Sequence, residues 1–302
     1  MQVAMIQDRI VPVEELELVY LDRGIYFGDG VYEVVRSYDG KIFALQEHLQ
    51  RFASSLAAIE IIGVDIGQIR QRVQKAFDAA GIANAKIYFH ITRGSAPRDH
   101  ICDANLEPNF FLTVTELLDN TEEKTNGIAV STYPDWRWKR CDIKSLNLLA
   151  NVLACLDAAR KGCAEAILVD EACLITEGSH SAFFAIFGCR TNCSHSDTFN
   201  HQRAGFHRHQ SIGAALQTAP LTANILPSIT RKFAIKAAQN VGLEVLEKSL
   251  TPQQAGSADE LFIAVTTKDI VPVVRFDDKI IGDGKPGKYC KMLIQEFRRF
   301  TI

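Results

Sequence analysis

Apolar and polar positions change period several times along this chain, and the changes mark out its elements. Up to about residue 45 they alternate around glycine turns, as in AMIQDRIVPV and VYEVVRSYDGKIFAL, a strand and hairpin pattern with Asp39 and Gly40 as the turn. From Glu47 to Ile59 the period lengthens, and Leu49, Phe52, Leu56 and Ile59 fall on one helical face. Ile66 to Ala80 repeats this through Ile69, Val73 and Phe77 and stops at Gly81. Two alternating runs follow, KIYFHITRG and NFFLTVTEL, and then a polar stretch, LDNTEEKTNG, that reads as a linker over 118–127.

The second half opens with a strand from Ile128 to Tyr133. The spacing then predicts a helix over Ser145 to Arg160, with Leu148, Leu149, Val152, Leu156 and Ala159 on its buried side and Gly162 as its C-terminal cap. Three strand-like runs fill Ala164 to Ile186. A helix from Ser228 to Asn240 starts behind Pro227 and closes at Gly242, and ELFIAVTTKDIVPVVRFDDKIIGDG reads as strand, Thr-Thr turn, strand and hairpin before a last helix, Tyr289 to Phe300. The pattern is α+β, with a small N-terminal domain over 1–117, the linker 118–127 and a larger C-terminal domain over 128–302. A chain of 302 residues that is 47% hydrophobic is long enough to fill two cores.

Composition narrows the partners more than the fold. A net charge of -3 gives no electrostatic reason to expect nucleic acid or an anionic membrane, which leaves small molecules. The opening MQVAMIQDRIVPVEELE lacks a basic and then apolar leader, and no apolar run reaches membrane-spanning length. Most of the eight cysteines sit inside apolar or helical runs, where a thiol acts as a small hydrophobe, so a cytoplasmic location is expected.

Several residues carry candidate chemistry, each with an ordinary reading beside it. Lys144 stands just before the predicted helix, and Glu177 ends a strand directly before Gly178 and Ser179. A lysine facing an acid on a neighbouring strand end can hold an aldehyde cofactor, yet most lysines are solvated and many strands end in glutamate. Arg51 follows Glu47 by four residues and can form a surface pair with it, or its fork can hold a phosphate. Arg98 and His100, in the loop RGSAPRDH, lie two apart and can converge on one anion or simply be solvated. The free amides of Ile229 and Thr230 at a helix start can bind phosphate or serve stability alone. Thr266 and Thr267 are phosphate contacts or strand formers, Ser179 and Ser181 are ligand donors or turn caps, and Tyr32 lines a pocket or packs across strands. The string GDGKPGK lacks the spacing of a nucleotide loop.

The literal strings KSLNLLANVLA and ITEGSHSAFF closely resemble the cofactor segment of the class IV aminotransferases, which are fold type IV pyridoxal phosphate enzymes. The resemblance extends over nearly the whole chain and implies a β-barrel-like C-terminal domain with flanking helices. It implies pyridoxal 5'-phosphate held by Lys144, with Glu177 at the ring nitrogen, Arg51, Ile229, Thr230, Thr266, Thr267 and Ser179 around the phosphate, and Arg137 near the phenolic oxygen. RGIYFGDGVYEVVR resembles the family's opening motif, in which Tyr32 lines the substrate pocket together with Ser181. Pro-Arg-x-His at 97–100 is similar to the carboxylate trap of members acting on D-amino acids, a trap completed across a homodimer interface. The implied reaction is ping-pong transamination of D-alanine and 2-oxoglutarate to pyruvate and D-glutamate. A branched-chain L-aminotransferase, an aminodeoxychorismate lyase and a non-catalytic cofactor binder remain as alternatives. His180 stands where a smaller residue is often found, and its expected outward direction would leave the two serines unaffected. One segment, about 188–216, departs from the family: it adds roughly two dozen residues where a short turn is usual. Its Cys189, Cys193, His195, His201, His207 and His209 do not match structural zinc spacings, so no metal is expected.

Overall fold

The computed structural model describes residues 2–118, 120–188, 213–222 and 224–302. Most of the added segment, with its cysteines and histidines, lies outside the described residues. The chain gathers into two compact units. One comprises Met1–Leu118, Arg137–Ala150 and Ala223–Ile229, and the other Asp119–Trp136, Asn151–Thr222 and Thr230–Ile302.

In the first unit, a hairpin of β1 (Val3–Ile6) and β2 (Arg9–Pro12) precedes a short helix, α1 (Arg23–Phe27). A four-stranded sheet in the order β4-β3-β5-β6 is built from β3 (Gly30–Tyr38), β4 (Lys41–Ile42), β5 (Ala85–Thr92) and β6 (Asn109–Glu116). Asp39 and Gly40 both take positive φ in the β3–β4 turn, as a two-residue hairpin of this chemistry requires. Val31, Val35, Ile87, Phe89 and Ile91 close one core with Leu49, Phe52 and Leu56 of α2 (Leu45–Ala58) and Ile69, Val73 and Phe77 of α3 (Ile66–Ala80). Asp65 caps α3 through the amides of Gly67 and Gln68, and Gly81 ends it in the left-handed region. Glu33 occupies an inward position between Val31 and Val35 and is fully buried.

The second unit carries α4 (Thr121–Asn126), β7 (Ile128–Pro134), α5 (Leu149–Arg160), β8 (Glu165–Val169), β9 (Ile175–Gly178), β10 (Ala182–Phe187) and β11 (Ala215–Thr218). After them come α6 (Ile229–Asn240), β12 (Glu244–Glu247), α7 (Pro252–Ala255), β13 (Glu260–Val265), β14 (Asp269–Phe276), β15 (Lys279–Ile280) and α8 (Lys288–Arg298). Its nine-stranded sheet runs β12-β11-β10-β13-β14-β7-β8-β9, with β15 paired to β14. The link from β9 to β10 is only Ser179–Ser181, closed by Gly178 N donating to Ser181 O at 2.7 Å. That link returns the last strand of the path to β10, so the sheet curls in the barrel-like manner the resemblance implied. Inside, Phe184 and Phe262 stack at 4.6 Å.

Three expectations change. The polar stretch 118–127 carries α4, which suits Glu122 and Glu123 in its first turn and is tied to β14 by Lys124 on Asp269 at 2.8 Å. The helix expected from Ser145 starts only at Leu149, because residues 144–146 are drawn into a bridge with β3. Its burial is also reversed: Ala154 and Ala158 are buried, while Leu149 is 73% exposed, Val152 48% and Leu156 47%. The small alanines allow α5 to lie close, and the bulky stripe faces away. The GDGKPGK turn leads into α8, whose first amides, Tyr289 N and Cys290 N, donate to the Glu260 carboxylate at 3.0 and 2.8 Å. An anion of the chain's own fills that helix start. Among the described residues no helix is long and apolar enough to cross a membrane.

Candidate active site

Lys144 belongs to the first unit, and its backbone is pinned on both sides. Tyr32 N donates to Lys144 O at 3.0 Å, Leu146 N to Gly30 O at 3.0 Å and Lys144 N to Ser55 Oγ of α2 at 3.2 Å. Ile143, next to it, is part of the first core. So anchored, the half-buried side chain holds Nζ 4.3 Å from the centre of the Tyr32 ring, and among the described residues the amine has no hydrogen-bond or ion-pair partner. A backbone this fixed with an amine this unengaged suits a nucleophile that must meet an aldehyde.

Behind Tyr32 lies a buried charge cluster that the sequence reading missed. Arg51 is not paired on the surface with Glu47 in the manner weighed above; its Nε and Nη2 form a fork on Glu33 at 2.7 and 2.8 Å, and Nη1 donates to Pro227 O at 3.1 Å. Pro227 precedes Ile229, the first residue of α6, by two positions. Two of the five guanidinium N–H groups remain without a partner among the described residues, enough for a phosphate at that helix start. His48 Nδ1 donates to Glu33 Oε2 at 2.8 Å. Burial would raise the Glu33 carboxyl, but the Arg51 charge and the hydrogen bonds of Arg51 and His48 hold it at about 2. His48 is pushed down by burial and by the charges of Arg51 and Lys144, despite Glu33. A glutamate on the apolar face of β3, with histidine and arginine three apart on a facing helix, was the available signal.

Tyr88, opposite Val34 on β5, sits 5.9 Å from the Tyr32 ring and bonds His90 Nδ1 at 3.0 Å. Burial, with Tyr32 beside it, raises the Tyr88 phenol, and burial lowers His90. Arg98 and His100 both lie against Phe27: the guanidinium is 5.2 Å from its ring centre and the imidazole 5.2 Å from the same ring. Arg23 fastens their loop by donating to Asp99 O at 2.5 Å and His100 O at 3.1 Å. Both side chains stay exposed. Arg137, half-buried in the same unit, donates to Asn224 O at 3.2 Å.

The second unit holds the other candidates. Glu177 is buried at the end of β9, and Gly178 follows because a Cβ there would collide with Ser181 Oγ and Glu165 Oε1. Both serine hydroxyls donate to that Glu165 oxygen, Ser179 at 3.0 Å and Ser181 at 3.2 Å. His180 does not leave the serines untouched: its Nδ1 lies 3.3 Å from Ser179 Oγ and 2.9 Å from Glu165 Oε2. A buried carboxylate draws the ring back. Thr230 Oγ1 at the start of α6 is 3.4 Å from Thr266 Oγ1, and Thr267 is half-buried in the turn after β13. Hydroxyls beside helix amides make a cradle for an oxyanion. The amine and the unspent guanidinium donors of the first unit, and the hydroxyl pair of the second, are each groups that a phosphorylated pyridine aldehyde can use. Among the described residues no cluster of metal ligands is found.

Known proteins similar to this chain are aminotransferases. D-alanine aminotransferase of Bacillus licheniformis is 34% identical over 287 residues, covering 94% of this chain and 91% of that enzyme. The D-alanine aminotransferase of Staphylococcus haemolyticus is 32% identical over 297 residues, with 98% and 96% covered. Among solved structures, the branched-chain amino acid aminotransferase of Escherichia coli matches with a TM-score of 0.79 at 23% identity, covering 97% of this chain and 92% of that one. A hypothetical aminotransferase of Mycobacterium tuberculosis in its PLP-bound form matches at 0.77 and 16%, with 97% and 96% covered. These two speak for the fold. The family model for amino-transferase class IV matches residues 30–276, and the chain belongs to that family.

Proposed function

We propose that this aminotransferase moves the amino group of D-alanine to 2-oxoglutarate, giving pyruvate and D-glutamate, as a cytoplasmic homodimer using pyridoxal 5'-phosphate. The observation that carries the choice of D-substrates is the exposed pair Arg98 and His100, each 5.2 Å from the Phe27 ring centre. Identity of 30 to 34% to D-alanine aminotransferases over nearly the full chain supports the same choice. The bare Leu149, Val152, Leu153 and Leu156 face of α5 supports a second copy, since four bulky apolar residues in one stripe need a cover.

When bound, the cofactor ring takes up the electron pair released at the substrate α-carbon. Lys144 holds the aldehyde and afterwards carries a proton to and from the α-carbon, which its unengaged amine allows. Glu177 would keep the ring nitrogen protonated. Arg51, Ile229, Thr230, Thr266, Thr267 and Ser179 would hold the phosphate, and Arg137 would serve the phenolic oxygen. Glu33 keeps Arg51 aimed by occupying one edge of its fork. Tyr32, Ser181, Arg98 and His100 orient the substrate so that the α-hydrogen of the D-form faces Lys144.

The test adds D-alanine, L-leucine and aminodeoxychorismate separately to purified protein and follows the visible cofactor absorbance. Conversion by D-alanine is the expected result. Rapid conversion by L-leucine without D-alanine would overturn the reading, and a band that no donor alters would mark a non-catalytic binder. Lys144→Ala is expected to abolish the lysine-bound absorbance with an unchanged circular dichroism spectrum. Arg98→Ala should raise KM for D-alanine by about 10- to 100-fold, the worth of a charged hydrogen bond, with cofactor affinity unaltered.

A further inference from the structure

A second cluster of reactive side chains lies in the second unit, against the turn that carries Ser179 and Ser181. Cys155 projects from α5 toward the β9–β10 turn, its Sγ 3.1 Å from Ser179 Oγ and 3.8 Å from His180 Nδ1. His180 is in turn 2.9 Å from Glu165 Oε2, and its backbone amide donates to Glu165 Oε1 at 2.9 Å. Glu165 is itself buried in β8. A thiol and a buried carboxylate thus both stand against one nitrogen of the same imidazole. Asn151, one turn earlier on α5, donates to Ser179 O at 2.6 Å and fixes the helix against this turn.

Access and charge both favour reaction at this sulfur. Cys155 is half-buried and the His180 side chain is 46% exposed, so a small reagent can reach the pair. By contrast Cys141, Cys163 and Cys290 are buried and give their thiols to the carbonyls of Trp138, Lys161 and Leu261. Burial opposes a charge on His180, but its hydrogen bonds to Cys155 and Glu165 and the Glu165 carboxylate push the imidazole up to about 10. The His180 hydrogen bond lowers the Cys155 thiol, ahead of the opposing effects of burial and Glu165. An imidazolium beside a half-open thiol is the usual environment of a reactive cysteine.

We propose that Cys155 is a modification site for hydroperoxides and soft electrophiles, activated by His180 and its partner Glu165. With a hydroperoxide, the Cys155 thiolate attacks one peroxide oxygen; the S–O bond forms as the O–O bond breaks. The sulfur is oxidised to a sulfenic acid while the peroxide is reduced to an alcohol or water. The thiol proton, held on His180, goes to the leaving oxygen. With iodoacetamide an S–C bond forms and iodide leaves. The added group falls where Sγ already touches Ser179 Oγ, so the turn that follows Glu177 has to shift. The inference stands apart from the choice of amino acid substrate.

The experiment exposes the full-length protein to iodoacetamide between pH 6 and 9 and follows each cysteine by peptide mass mapping. The exposed Cys173 serves as the internal reference. At pH 7 Cys155 is expected to react about tenfold faster than Cys173, and His180→Gln to remove that advantage. The titratable groups facing the thiol are His180 from the turn and Glu165 from β8, and the Cys155 rate should persist to lower pH than the Cys173 rate. That profile needs no variant and decides the matter if His180→Gln folds poorly. Hydrogen peroxide followed by dimedone should tag Cys155, and Cys155→Ser should lose the tag. A Cys155 rate at or below that of Cys173 would overturn the proposal, as would an unchanged rate in a folded His180→Gln protein.

Discussion

Helices α2 and α5 carry apolar residues at the same helical spacing, yet they use them in opposite ways. Leu49, Phe52 and Leu56 of α2 are buried against the four-stranded sheet, whereas Leu149, Val152, Leu153 and Leu156 of α5 are exposed and only Ala154 and Ala158 are buried. The difference teaches that an apolar stripe fixes which face of a helix seeks cover, but not whether the cover comes from the same chain. The α2 stripe is satisfied within its fold. On α5 the buried side is chosen by size, because Ala154 and Ala158 admit the helix close to its neighbours.

The largest expected effect on folding lies on the α2 side. Phe52 is fully buried and 5.1 Å from the Phe89 ring, so Phe52→Ala should cost about 3–5 kcal/mol in urea-monitored unfolding. A cost below about 1 kcal/mol would mean that α2 is no better packed than α5. Close behind comes the charge that α2 shares with β3. Glu33→Gln leaves Arg51 without its counter-charge and should cost about 3 kcal/mol, the usual consequence of breaking a buried pair from one side.

The same substitutions on α5 should barely alter a lone protomer. Leu153→Glu with Leu156→Glu is expected to change its unfolding by less than about 1 kcal/mol, as for exposed sites. In sedimentation the same pair should convert a dimer to a monomer and reduce transaminase activity with it. An unaltered dimer would place the partner on another face and remove the meaning given to the stripe.

These contrasts also show what the sequence could and could not convey. Alternation and helical period located β3, β5, α2 and α3 within a residue or two, because each element buries its stripe inside one contiguous core. They misjudged α5 because periodicity records only that leucines share a face. The start of α5 was misplaced since Val31 recruits Ser145 into a bridge, a tertiary event without a local signature. Literal strings led to Lys144, Glu177 and the phosphate candidates, since a cofactor demands particular residues. The supporting charges were harder to see: Glu33 and Glu165 are single acids within apolar strands, and their partners are distant in sequence.

Those two buried glutamates yield the smallest effect, and its sign differs between the units. Glu33 is held down at about 2, so its contribution is complete above the ordinary glutamate range and disappears as pH falls through about 2. Against burial, His180 is raised to about 10 by its hydrogen bonds to Cys155 and Glu165 and by the Glu165 charge, so its contribution is complete below the ordinary histidine range and disappears as pH rises through about 10. Acid should therefore loosen the α2 cluster and alkali the β9–β10 turn. Because the His180 ring is 46% exposed, water and salt screen the alkaline effect, leaving a shallow slope that flattens further in high salt. Amide exchange measured at pH 7 and pH 10.5 checks the assignment. Faster exchange at His180 beyond the intrinsic base-catalysed increase is expected at the higher pH, with α2 unaltered. The same excess in a His180→Gln protein would show that another group governs the turn.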